Sequence, residues 1–223
     1  MDNIQSIFDR AFKLHQDGQL GEAGLEYDKI LSLNPGHFDA LNLSSIVLAS
    51  FGQFQAALDR SNLAASINPK DSSVFNNKGI ILDGLGRSLD AISSYEMAIS
   101  VNPNFAQAHY NAGNAYLSLR RLDEAINQYE KAIGIDPNYT NAHLNLGIAF
   151  HELGEPLFAI SSFNIALEQD PRFAKAYLNR GLAWEALNEL EMALLDADQC
   201  LLLEPESQEG LAFRGRLTNS LLI

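Results

Sequence analysis

A proline preceded by an acid or an amide recurs every 34 residues, at Asn34-Pro35, Asn68-Pro69, Asn102-Pro103, Asp136-Pro137, Asp170-Pro171 and Glu204-Pro205. A period held without slippage over six copies predicts a stack of equivalent supersecondary units, each burying its apolar faces against its neighbours, and not one globular core. With proline at position 32, the copies run 4–37, 38–71, 72–105, 106–139, 140–173 and 174–207, and residues 208–223 begin a seventh. Everything else in the chain can be placed on this frame.

Position 20 is alanine in every copy: Ala23, Ala57, Ala91, Ala125, Ala159 and Ala193. Position 8 holds Ala11, Ser45, Gly79, Gly113, Gly147 and Gly181, so two helices are expected to cross closely there. Position 15 is Gly18, Gly52, Gly86, Arg120, Gly154 and Asn188, which suits a left-handed residue closing a first helix, with Arg120 the exception. In copy one the first helix is expected from Ile4 to about Asp17 and the second from about Glu22 to Ser32, because the residue before a proline avoids helical angles. Pro156 is expected just ahead of a second helix. Copy two, with Ser44-Ser45 in its first helix and Ser61 where other copies have an aromatic or similarly bulky residue, is expected to pack least tightly.

Copy four carries Tyr110-Asn111-Ala112-Gly113, Tyr116, Ala125, Tyr129, Ala132 and Pro137. This pattern resembles the tetratricopeptide repeat, and the resemblance extends over essentially the whole chain. It implies an all-α fold: a single right-handed superhelical solenoid of antiparallel helix pairs over 1–223, with a concave groove that holds a peptide. The last segment, 208–223, would cap the stack. Its apolar end, Ser220-Leu221-Leu222-Ile223, could tuck back, pair weakly with a second copy, or mark a cut in a longer protein.

On a helical wheel, positions 2, 6, 9 and 13 of each first helix fall together, opposite positions 4, 8 and 11, and are expected to line the groove. Position 6 is asparagine in four successive copies, Asn77, Asn111, Asn145 and Asn179. An amide can satisfy both the N–H and the C=O of an extended backbone, so the series reads as a sequence-tolerant ladder. The other reading is that these amides bridge neighbouring helices. Position 9 places Ile80, Ile148 and Leu182 beside them as apolar pockets. One specialised form of the family grips C-terminal carboxylates, and the matching positions here are Tyr110, Asn114, Asn145, Lys175 and Asn179, which lack two of its cations. The candidate peptide-binding set is therefore Asn77, Asn111, Asn114, Asn145, Asn179, Lys175, Tyr110, Ile80, Ile148 and Leu182. The asparagine ladder is also similar to the repeat region of O-linked N-acetylglucosamine transferases and bacterial relatives. That implies a substrate-recruiting region of a larger or multi-subunit enzyme.

A net charge of −13 and a pI near 4.7 offer no basic stripe for nucleic acid or an anionic membrane. No apolar run reaches the length of a membrane span and no signal peptide opens the chain, so a cytoplasmic protein is expected. Between Glu185 and Glu209 eight acids occur without a base, an acidic flank. The histidines His15, His37, His109, His143 and His151 show no metal-ligand spacing, with His15 and His151 expected near the groove. Cys200 sits where other copies have alanine and reads as packing. The expectation is a protein-binding scaffold with no catalytic residue, metal or cofactor.

Overall fold

The computed structural model describes residues 3–221. Among them are thirteen helices and no strand: α1 (Ile4–Gln16), α2 (Leu20–Leu33), α3 (Phe38–Ser50), α4 (Phe54–Ile67), α5 (Ser72–Gly84), α6 (Ser88–Val101), α7 (Ala106–Ser118), α8 (Leu122–Ile135), α9 (Thr140–Leu153), α10 (Pro156–Gln169), α11 (Ala174–Ala186), α12 (Leu190–Leu203) and α13 (Gln208–Leu221). Contacts gather into two compact units, Met1–Ala115 and Tyr116–Ile223. In the first, α1–α2, α3–α4 and α5–α6 pair, and the first helices α3 and α5 also touch. In the second, α9–α10 and α11–α12 pair, α8 packs on α9, α13 packs on α12, and α9 touches α11.

The repeated motifs each have a local cause. Position 15 closes every first helix in the left-handed region, with φ of 76°, 72°, 71° and 87° at Gly18, Gly52, Gly86 and Gly154. Arg120 and Asn188 adopt the same conformation, at 59° and 61°, so the turn is set by the frame and not by glycine. The amide or acid before each repeat proline ends the second helix, and in the first five copies it folds over its own loop. Its side chain accepts from the N–H two residues on, as at Asn34 to Gly36 (3.2 Å), Asn68 to Lys70 (3.2 Å), Asn102 to Asn104 (3.1 Å), Asp136 to Asn138 (3.1 Å) and Asp170 to Arg172 (2.9 Å). Second helices begin at position 17, two residues earlier than expected, so α2 starts at Leu20 and not at Glu22. Likewise Pro156 is the first residue of α10 and does not precede it; its missing N–H falls among those a helix start leaves unpaired.

The helix pairs close on position 8. A Cβ added to Gly79 would lie 2.3 Å from the ring of Tyr95, and one added to Gly147 would lie 2.5 Å from the ring of Phe163. The six alanines of position 20 are fully buried at the same crossings. Copy two keeps the crossing in another way. Ser45 and Ser61, at positions 8 and 24, are both fully buried, and the Ser61 hydroxyl has no partner. In copy six, where Ala197 replaces the ring, Phe213 reaches back from α13 and lies against Gly181.

In copies one and three, position 12 meets the hydroxyl end of that ring. The Tyr95 hydroxyl donates to Asp83 (2.8 Å), and the Tyr27 hydroxyl lies 3.4 Å from Nδ1 of His15. Burial pushes the Asp83 carboxyl up, against hydrogen bonds from Tyr95 and Ser88 that pull it down, and pushes Tyr27 up to about 12. Burial also lowers His15 below its ordinary 6.5. Of the chain's apolar end, Leu221 is exposed, while Leu222 and Ile223 lie outside the described residues.

Two outcomes follow. Gly147→Val should lower stability by about 1–3 kcal/mol, and Phe163→Ala in the same chain should recover part of that loss; both are read by thermal unfolding. Because the folded state disfavours the His15 proton, the stability it contributes is present above pH 6.5 and lost as pH falls below it. His15→Gln should flatten that part of the pH–stability curve.

Candidate functional site

The expected groove stripe divides between the two units. In the first unit Ile80 on α5 is 39% exposed and Phe12 on α1 is 40% exposed, so position 9 does present apolar groups to solvent. Position 13 is not uniformly open. A Cβ on Gly84 would lie 2.2 Å from the ring of Phe54, so that part of the stripe is covered by the start of α4.

The asparagines of position 6 behave differently from a free ladder. Asn77 donates to Oδ1 of Asn42 (2.9 Å), and Asn111 donates to Oδ1 of Asn76 (2.9 Å). Asn42 and Asn76 stand at position 5 of the preceding first helix, so these two amides bridge neighbouring helices. Asn42 in turn donates to the Ser73 hydroxyl (3.1 Å), which donates to Asp71 (2.5 Å), while Asn111 also accepts from Gln107 (3.0 Å). Asn76 and Asn111 are buried, at 4% and 9% exposure. The wheel placed position 6 on the side expected to line the groove. It did not show that this side also abuts the preceding helix, where an asparagine at position 5 supplies a partner.

In the second unit the residue at position 5 ahead of Asn179 is Leu144, which offers no such partner. Asn179 instead donates to its own helix, at the carbonyl of Lys175 (2.7 Å), and keeps its carbonyl oxygen and one N–H. It lines a cleft of about 340 Å³ together with Lys175, Leu178, Leu182, Cys200, Glu204, Ser207 and Glu209. Three expected site residues, Lys175, Asn179 and Leu182, are thus brought together. Burial, and then the carboxylates of Glu204 and Glu209, push the Cys200 thiol up, which keeps it protonated. Asn145 and Ile148 are half-buried on α9; Tyr110 and Asn114 are half-buried on α7.

His15 and His151, expected near the groove, are each engaged in packing. His15 packs edge-on against Tyr27, and the Nδ1 of His151 is buried without a partner in the copy whose own ring, Phe163, lacks a hydroxyl. His109 and His143 lie close to the carbonyls of Pro103 and Pro137, at 3.1 and 3.0 Å, in packing roles. No group of three His, Cys, Asp or Glu capable of holding a metal stands among the described residues. The acidic flank is partly neutralised from outside: Asp196 by Arg180, Asp198 by Arg214 and Glu185 by Arg216. No helix among the described residues is long and apolar enough to cross a membrane.

A family profile described as "TPR repeat" matches residues 85–119 and 113–154, and one described as "Tetratricopeptide repeat" matches 144–201. Together these span more than half of the chain. The chain is a tetratricopeptide repeat protein. No curated protein matches the sequence. Among solved structures, the type IV pilus biogenesis factor PilW superposes with a TM-score of 0.85 at 18% identity, over 94% of this chain and 97% of that one. YrrB, described as a TPR protein with an unusual peptide-binding site, gives 0.69 at 20% identity, over 83% and 96%. MamA gives 0.65 at 25% identity, over 77% and 94%. Tetratricopeptide repeat proteins generally act by binding other proteins and are generally non-catalytic.

The bridges predict an unequal response to alanine. Asn111→Ala strands the buried Asn76 oxygen and should cost about 1–3 kcal/mol in thermal unfolding, whereas Asn179→Ala should change stability little.

Proposed function

We propose that this tetratricopeptide repeat protein is an interaction scaffold that takes an extended segment of a partner protein against the face of its first helices. The cleft of Lys175, Asn179 and Leu182 carries this reading. There, an amide with free donor and acceptor capacity stands beside an apolar floor, with one cation and the two carboxylates of Glu204 and Glu209 at its edges. Such a set can pair with a peptide backbone through Asn179 and hold an apolar side chain against Leu178 and Leu182. In the first unit, Ile80 and Phe12 offer apolar contact, and Asn77 uses one N–H in its bridge. Tyr110 and Asn114 belong to the proposed surface of the first unit, and Asn145 and Ile148 to that of the second.

The peptide-binding site named for YrrB supports this use of the fold. The net charge of −13 favours a protein partner over nucleic acid. For weak pairing of two copies, the surface proposed is α13, where Leu211 and Leu221 are exposed. A role as the substrate-recruiting region of a glycosyltransferase would use the same first-helix face and requires a catalytic partner in addition.

A peptide array probed with wild type and with Asn179→Ala/Leu182→Ala tests the proposal. Peptides held by the cleft should bind the folded double variant about tenfold more weakly or worse. Undiminished binding by the double variant would contradict it.

A further inference from the structure

Away from the first-helix face, the repeat frame builds a second recurring site. Position 7 of one copy, position 23 of the same copy and position 25 of the copy before it converge on one slot. Where that slot contains a cation, it also contains the carboxylate that neutralises it. Arg10 pairs with Glu26, Arg60 with Asp28, Arg180 with Asp196, and Arg214 with Asp198. The copy-six slot is the most complete. Arg180 makes two hydrogen bonds to Asp196, of 2.9 and 2.7 Å, and a third, of 2.6 Å, to Oδ1 of Asn164 at position 25.

Copy three departs from this rule. Lys78 at position 7 keeps the asparagine, Asn62 at position 25, but position 23 is Ser94 where copy six has Asp196. No residue among those described forms an ion pair with Lys78. All three line a cleft of about 370 Å³ between α4, α5 and α6, floored by Phe75, Leu82 and the 48% exposed Met97. At its rim Arg87 and Asp90 neutralise each other, at 2.6 Å, leaving the Lys78 ammonium as the uncompensated charge of the lining. The Ser94 hydroxyl donates to its own helix, at the carbonyl of Asp90, so it does not compete for an incoming acceptor as a carboxylate would.

We propose that this cleft is a second docking site, and that its occupant is a partner protein segment presenting an aspartate or glutamate side chain beside an apolar residue. The ligand carboxylate takes the place that Asp196 holds in copy six, accepting from the Lys78 ammonium and the Asn62 amide. The neighbouring apolar side chain covers Phe75 and Met97. In a chain with a net charge of −13, an acidic ligand needs such a local exception to dock at all. The site uses neither the asparagines nor the position 9 residues of the first-helix face, so it stands or falls separately from the scaffold reading above.

The test is an amide ¹H–¹⁵N titration of the full chain with acetyl-Leu-Glu-Leu-amide and with acetyl-Leu-Gln-Leu-amide. The acidic peptide should shift the amides of α5 and α6 around Lys78 and Ser94, binding about tenfold more tightly than its neutral counterpart. Lys78→Met should abolish those shifts and Lys78→Arg should retain them. Ser94→Asp should abolish them as well, by supplying the internal carboxylate, and should raise the melting temperature. Equal response to the two peptides would overturn the proposal, as would a response that survives Lys78→Met or Ser94→Asp, or no shift around the cleft up to millimolar acidic peptide.

Discussion

The structure depends on how closely two helices can approach at position 8. Where that residue is Gly79 or Gly147, the ring of Tyr95 or Phe163 occupies the space a Cβ would need. The buried alanines of position 20 let the backbones meet beside it. Small residue and ring exchange volume as a pair: Ser45 with Ser61 keeps the crossing with less apolar contact, and Phe213 restores a ring against Gly181 when Ala197 has none. Close packing of this kind leaves little tolerance for one-sided change at Gly79 and Gly147.

Once the pair is fixed, each remaining position of the repeat inherits an environment. Position 15 turns left-handed, and the residue before proline ends the second helix. These local roles were legible in the sequence, because each is set by residues close along the chain and recurs at one period. The roles decided between copies were harder to see. Asn77 and Asn111 needed partners at Asn42 and Asn76, each 35 residues away, before their bridging could be recognised. Gly84 lies under a ring of the previous copy, which no single-helix wheel displays.

The charge slots show the same division. Arg10 with Glu26, Arg180 with Asp196, and Arg214 with Asp198 are all separated by 16 residues, a spacing that would have found them in the sequence. With those pairs in place, Asp196 and Asp198 of the acidic flank are bound internally, and the departures from the rule acquire meaning. Unfilled amide capacity at Asn179 and an unmatched ammonium at Lys78 are the two features on which the proposed docking sites rest. On this account binding capacity arises where a copy breaks the pattern that stabilises its neighbours.

Native-state hydrogen exchange resolved by helix tests most directly whether the ring against position 8 governs the packing. Copy two lacks the ring and buries an unpartnered Ser61 hydroxyl, so amides of α3 and α4 should open at lower free energy than those of α5 and α6 in the same unit. Equal protection of the two pairs, or stronger protection of α3 and α4, would contradict the account.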